Sequence, residues 1–188
     1  ADLAAKHGIE VVPSIVNIDE RSYLDGIELS REEFYNLLPS LNPPPTTSAP
    51  SVGNFEERYE KLFQEGAGHI FSIHTASVLS GIYNAARLAA NSFDGRVTVF
   101  DSGQLSMGTG LQVLSAVDAA EQGGTVEQVR AAMDSAHKRA RVACLLASME
   151  YIRRSGRVSW TKAMLGSLLN LQPLIELRFG RIIRLGQV

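Results

Sequence analysis

Apolar positions along the chain follow two periods, and the alternation between them predicts the elements. Runs rich in β-branched and apolar residues at 8–18 (GIEVVPSIVNI), 69–74 (HIFSIH), 96–100 (RVTVF) and 141–147 (RVACLLA) predict strands. Pro13 marks the first of them as an edge or an irregularity. Between the runs, apolar residues recur at helical spacing, as at Phe55, Tyr59, Leu62 and Phe63. Helix starts are signalled by Ser30 with Glu33 in SREE, by Ser51, and by TVEQ at 125–128. Gly66, Gly123-Gly124 and Gly156 supply stops. DERSYLDG (19–26) reads as a turn-rich excursion and residues 39–50 as a Pro/Ser/Thr-rich loop. WTKAMLGSLLN (160–170) is predicted helical, and LIELRFGRIIRL (174–185) a β-hairpin turning at Phe179-Gly180.

Strands alternating with helices through residue 150 predict an α/β fold, a mostly parallel sheet with flanking helices in the Rossmann-like manner. The final hairpin breaks that rhythm and predicts the start of a second α+β domain that is cut short. The expected division is therefore 1–150, an α/β domain, and 151–188, the incomplete beginning of the second.

Composition changes this picture little. The 188 residues are 45% hydrophobic and 20% charged, enough apolar material for a sizeable core. A net charge of −2 gives no reason to expect nucleic acid as a partner. No apolar run is long enough to cross a bilayer, so no stable membrane anchor is expected. A single cysteine excludes an internal disulfide and points to a reducing, cytoplasmic compartment. Cys144, inside VACLLA, is expected to be a buried, inert thiol.

Three loops share a chemistry. TTSAPS (46–51), TASVLSG (75–81) and DSGQLSMG (101–108) each place small hydroxyl residues before a helix start. The second and third directly follow predicted strands, where the ligand crevice of an open parallel sheet lies. Helix N-termini offer unpaired N–H groups and a partial positive charge, so an anionic head group is the natural guest; plain helix capping is the competing explanation. A serine hydrolase reading would make Ser80 the nucleophile, but VLSGI lacks the first glycine of the G-x-S-x-G elbow. Of the four histidines only His74 falls near the expected crevice; His7 and His137 read as solvent-exposed. No His, Cys, Asp and Glu grouping has metal-ligand spacing, and neither a P-loop nor a dinucleotide fingerprint is present. RRSGR, with Arg153, Arg154 and Arg157, is either a solvated helix end or a docking patch for an acidic or phosphate-bearing partner.

GIEVVPSIVNIDERSYLDGIELSREEFY, PTTSAPS, LSGIYNAARLAA, VFDSGQLSMGTGLQV and YIRRSGRVSWTKAMLGSLLNLQPLI, in that order, resemble the DegV family of bacterial lipid-binding proteins. The resemblance implies a two-domain α/β fold holding a long-chain fatty acid as its ligand, with no other cofactor and no catalysis of its own. It implies a carboxylate held by Thr47 and Ser48 in the first loop and by Ser77, Ser80 and Gly81 in the second; Ser102, in the third loop, joins them as a candidate. Tunnel walls for the acyl chain would include Ile82, Met107, Met164, Leu165, Leu168 and Leu169. It further implies presentation of the acid to the catalytic subunit of a fatty acid kinase, docking at Arg153, Arg154 and Arg157. The family commonly has Ser and Thr where this chain has Ala76 and Ile82, so either the hydroxyl network is thinner or Thr75 substitutes. The opening ADL resembles the tail of the family's DSTADL, and the family continues past GRIIRLGQV, so a chain short at both ends is expected.

Overall fold

The computed structural model describes residues 2–157 and 172–187. The predicted helix at 160–170, with Met164, Leu165, Leu168 and Leu169, lies outside the described residues. Two compact units emerge: residues 1–70 with 84–98, and residues 71–83 with 99–188.

In the first unit a short helix, α1 (Asp2–Lys6), precedes strands β1 (Ile15–Ile18) and β2 (Arg21–Leu24). These pair antiparallel across a two-residue turn in which Asp19 takes positive φ, a conformation that Asp tolerates better than most residues. The turn-rich excursion of the sequence is thus half strand, hidden because β2 buries little. Helix α2 (Arg31–Leu37) opens on the expected capping box, Ser30 Oγ accepting from Glu33 N–H. Strand β3 (Thr46–Ser48) pairs with the other edge of β1, although all three of its residues are exposed. Helix α3 (Val52–Gln64) starts on Ser51, whose hydroxyl accepts from Asn54 N–H. Its Phe55 and Tyr59 are buried, and Tyr59 and Phe63 pack against Phe93 at ring distances of 5.6 and 5.5 Å. Arg96 lies over the Phe63 ring at 4.1 Å.

Strands β4 (Ile70–His74) and β5 (Val97–Asp101) form a two-stranded sheet, with helix α4 (Ile82–Ala90) between them in sequence. Ile70 N–H donates to Arg96 O near their beginnings and Ser102 N–H to His74 O at their ends, so the two strands run parallel. In the second unit, helices α5 (Met107–Glu121) and α6 (Val126–Arg139) bury Ala116, Val129 and Met133, against which Phe71, Ile73 and Phe100 pack. Thr125 and Gln128 make the expected capping box of α6. Strand β6 (Val142–Leu145), helix α7 (Glu150–Ser155), and strands β7 (Pro173–Arg178) and β8 (Arg181–Gln187) complete the unit. The hairpin β7–β8 turns at Phe179-Gly180 as expected, both residues at positive φ.

The mixed α/β class holds, but a mostly parallel sheet does not describe these strands. Among the described strands, only β4 and β5 pair in parallel; the other six lie in two antiparallel sheets, β2–β1–β3 and β6–β7–β8. Strand β6, expected to continue the parallel rhythm, pairs antiparallel with β7. The physical reason is coverage. A parallel strand is normally buried on both faces, whereas Ala143, Cys144 and Leu145 are exposed, as suits the edge of an antiparallel sheet. Cys144 is accordingly exposed, not buried in a core.

Candidate functional site

The carboxyl ends of β4 and β5 bring the second and third hydroxyl loops together inside the second unit. Ala76 N–H donates to Gln104 O at 2.8 Å, and Thr75 Oγ1 donates to the same carbonyl at 3.0 Å. Asp101, the last residue of β5, accepts from Gly103 N–H at 2.9 Å and from Ser77 N–H at 3.3 Å. Its carboxylate therefore already engages two of the backbone donors that an incoming anion would seek. Ser77 is exposed, Ser80 half-buried and Gly81 exposed at the start of α4, where Ser80 Oγ accepts from Ile82 N–H at 3.3 Å. Donors left to a guest are hydroxyls and amides, since neither loop contains a cationic side chain.

His74 adds no charge. Its burial pushes the imidazole down to about 4, against the opposing pull of the Asp101 carboxylate, so the ring is neutral at pH 7. Its Nε2 lies 2.7 Å from Ser72 Oγ. The base that a Ser80 nucleophile would need is thus paired elsewhere among the described contacts. No group of His, Cys, Asp and Glu able to hold a metal occurs among the described residues, and no described helix is long and apolar enough to cross a membrane.

Ser102 is fully buried. Its hydroxyl lies 2.9 Å from Thr109 Oγ1, accepts from Gln104 N–H, and sits 3.3 Å from Gln104 O. Its carbonyl accepts from Gln112 Nε2 at 3.0 Å and lies 2.9 Å from His137 Nδ1. His137, expected on the solvated face of its helix, is half-buried with its ring beside Phe100 and Phe179. Thr75, the candidate substitute for a missing hydroxyl, is directed to the Gln104 carbonyl, and Ala76 is fully buried.

Two features are not foreseen from the sequence pattern. Asp101 forms an Asx turn with Gly103, although D-S-G at a strand end is a legible signature of one. Gln104 and Gln112 are both buried polar side chains; the spacing Gly108, Gln112, Ala116 on the buried face of α5 marks only the second.

The first loop lies in the first unit. Thr46–Ser48 being a strand, Thr47 and Ser48 point to opposite faces of the sheet, which the sequence does not reveal. Ser48 Oγ accepts from Asn17 Nδ2 at 2.9 Å, and its own proton has no acceptor among the described residues. Arg153, Arg154 and Arg157 are exposed; Arg154 pairs with Glu150 one turn back, and Arg157 donates to Ser155 O. Of the described tunnel candidates, Ile82 is half-buried and Met107 exposed.

Residues 1–188 match the family described as "Uncharacterised protein, DegV family". A DegV domain-containing protein of Deinococcus radiodurans is 34% identical over 192 residues, covering 100% of this chain and 68% of the relative. Among solved structures, a fatty acid-binding DegV family protein from Thermus thermophilus superimposes with a TM-score of 0.88 at 35% identity, covering 100% of this chain and 66% of that one. A stearic acid-binding protein from Eubacterium ventriosum gives 0.84 at 27% identity, with 100% and 66% coverage. The chain thus spans about two thirds of the length of the relatives it matches.

Proposed function

This chain belongs to the DegV family, and from that premise we propose that it is a cytoplasmic, non-catalytic carrier of a long-chain fatty acid. The observation that carries the reading is its likeness, along its whole length, to the fatty acid-binding Thermus protein. The local chemistry supports it. A corner of hydroxyl and amide donors at the start of α4, without a cation, suits orientation of a carboxylate more than tight capture of a multiply charged phosphate. The acyl chain then supplies most of the affinity, each buried methylene contributing about 0.8 kcal/mol. In this reading Ser77, Ser80 and Gly81 face the head group and Ser102 holds the third loop in place from within; Thr47 and Ser48 are the first loop's own candidates for carboxylate binding. Exposed Arg153, Arg154 and Arg157 form the docking surface for a fatty acid kinase.

Native mass spectrometry of the protein as purified from bacteria, followed by titration with a C16 or C18 acid, tests the proposal. A co-purifying or stoichiometrically bound acid is expected, with Ser80→Ala weakening it. Absence of bound acid together with no uptake of added acid overturns the reading.

A further inference from the structure

Gln104 is the least exposed long polar side chain near the corner just described, apart from Gln112, at 2% exposure. Its amide reaches away from the corner: Nε2 donates to Ala140 O at 3.2 Å and to Leu177 O at 3.0 Å, the latter on β7. Its backbone points the other way, the carbonyl accepting from Ala76 N–H and Thr75 Oγ1 of the second loop. One residue thus joins the antiparallel sheet, the third loop and the second loop. A second tie runs beside it, since Gly180 N–H in the hairpin turn donates to Gly103 O at 2.8 Å. The space is close: a methyl placed on Gly103 would fall 3.1 Å from the His137 ring and 3.3 Å from Gly180 N. The Gln104 Oε1 atom is buried without a partner among the described residues, so the amide is held by its donor side alone. Loss of those two donors would take one hydrogen bond from each of the Ala140 and Leu177 carbonyls, the former still accepting from Arg141, and release the loop from the sheet.

We propose that Gln104 is a positioning residue for the head-group site, transmitting the placement of strand β7 to the hydroxyl loop at 75–81. It touches no ligand and acts through Thr75 and Ala76. Its bearing on affinity rests on the fatty acid-binding reading; its bearing on loop order does not.

Two substitutions separate these. Gln104→Leu removes both amide donors, and Gln104→Glu replaces them with a carboxyl whose protonated form donates once and whose ionised form repels both carbonyls. Hydrogen exchange of backbone amides and fatty acid affinity are measured on the intact protein, each variant against the native protein at the same pH. In Gln104→Leu the Ala76 amide is expected to exchange about tenfold faster while Val129 and Met133 keep their protection, and affinity falls about tenfold. In Gln104→Glu both defects are present at pH 8 and are largely reversed at pH 5. Unchanged exchange at Ala76 overturns the proposal. So does equal acceleration at Ala76 and in the α5–α6 core, or no recovery of Gln104→Glu at pH 5. Local acceleration with acid recovery, in a native protein that takes up no fatty acid, supports the positioning role and discards the binding reading.

Discussion

The approaches to α3 and α5 look alike in sequence, hydroxyl-rich loops before helices, and are built by opposite means. At α3 the start is self-sufficient: Ser51 and Asn54 satisfy each other's backbone and the loop before them is an exposed strand. At α5 the residue in the capping position, Ser106, makes no side-chain cap and is held at φ 52°, ψ −135°. Order comes instead from buried Ser102, Gln104 and Gln112 together with half-buried Thr109. One helix start is fixed locally and the other by long-range partners up to 73 residues away. A local start can be edited at modest cost, whereas a strained start clamped from a distance carries its errors into the neighbouring loops.

The largest test of that contrast is Gly108→Val in the first turn of α5. A Cβ there falls 2.5 Å from Val142 Cγ2 and 3.0 Å from Gln104 Cβ, so the substitution is expected to destabilise by about 3 kcal/mol, read by urea denaturation. Gly53→Val in the first turn of α3, where the nearest atom to an added Cβ is Ser51 Oγ at 3.8 Å, should cost far less. Next comes acid. The His74 imidazole titrates near 4 when folded and near 6.5 when unfolded, so the unfolded chain takes the proton first as pH falls. The stability contributed by the neutral ring is complete above pH 6.5 and is lost between 6.5 and about 4, a loss of about 2 kcal/mol after allowance for partial exposure. His74→Gln should flatten this part of the pH profile.

Smaller effects carry opposite signs at the two helix starts. Ser51→Ala removes a working cap and is expected to cost about 1 kcal/mol. Ser106→Gly relieves positive φ with no cap to lose and should stabilise by up to about 1 kcal/mol, both read as shifts in the urea midpoint. Smallest in stability is Thr47→Ala on the exposed strand, about 0.5 kcal/mol or less. If Thr47 contacts the fatty acid, the same variant weakens binding in a titration while leaving the urea midpoint nearly unmoved.

Helices were the most legible part of the fold, because capping boxes at Ser30 and Thr125 and stops at Gly123 and Gly156 are local signals. The Phe179-Gly180 hairpin was legible for the same reason. Strand partnership was not. RVACLLA has the composition of a buried parallel strand, and only its pairing with β7 and its exposure reveal an edge. Strands β2 and β3 were hidden because polar, exposed residues carry no period, and β1 organises them through backbone pairing. In the site, the meeting of TASVLSG with DSGQLSMG follows from two parallel strands and was expected. The opposed faces of Thr47 and Ser48, the Asp101 carboxylate among the donors and the reach of Gln104 depend on geometry that composition does not encode.

The exposure of Cys144 has a practical side. As the sole thiol of the chain it accepts a single maleimide dye or spin label without any background cysteine to remove. It stands on β6 opposite Ile175, two residues before the Leu177 carbonyl that receives the Gln104 amide. A reporter at that point watches the sheet from outside while ligands are added, turning an edge-strand residue into an optical window on the interior.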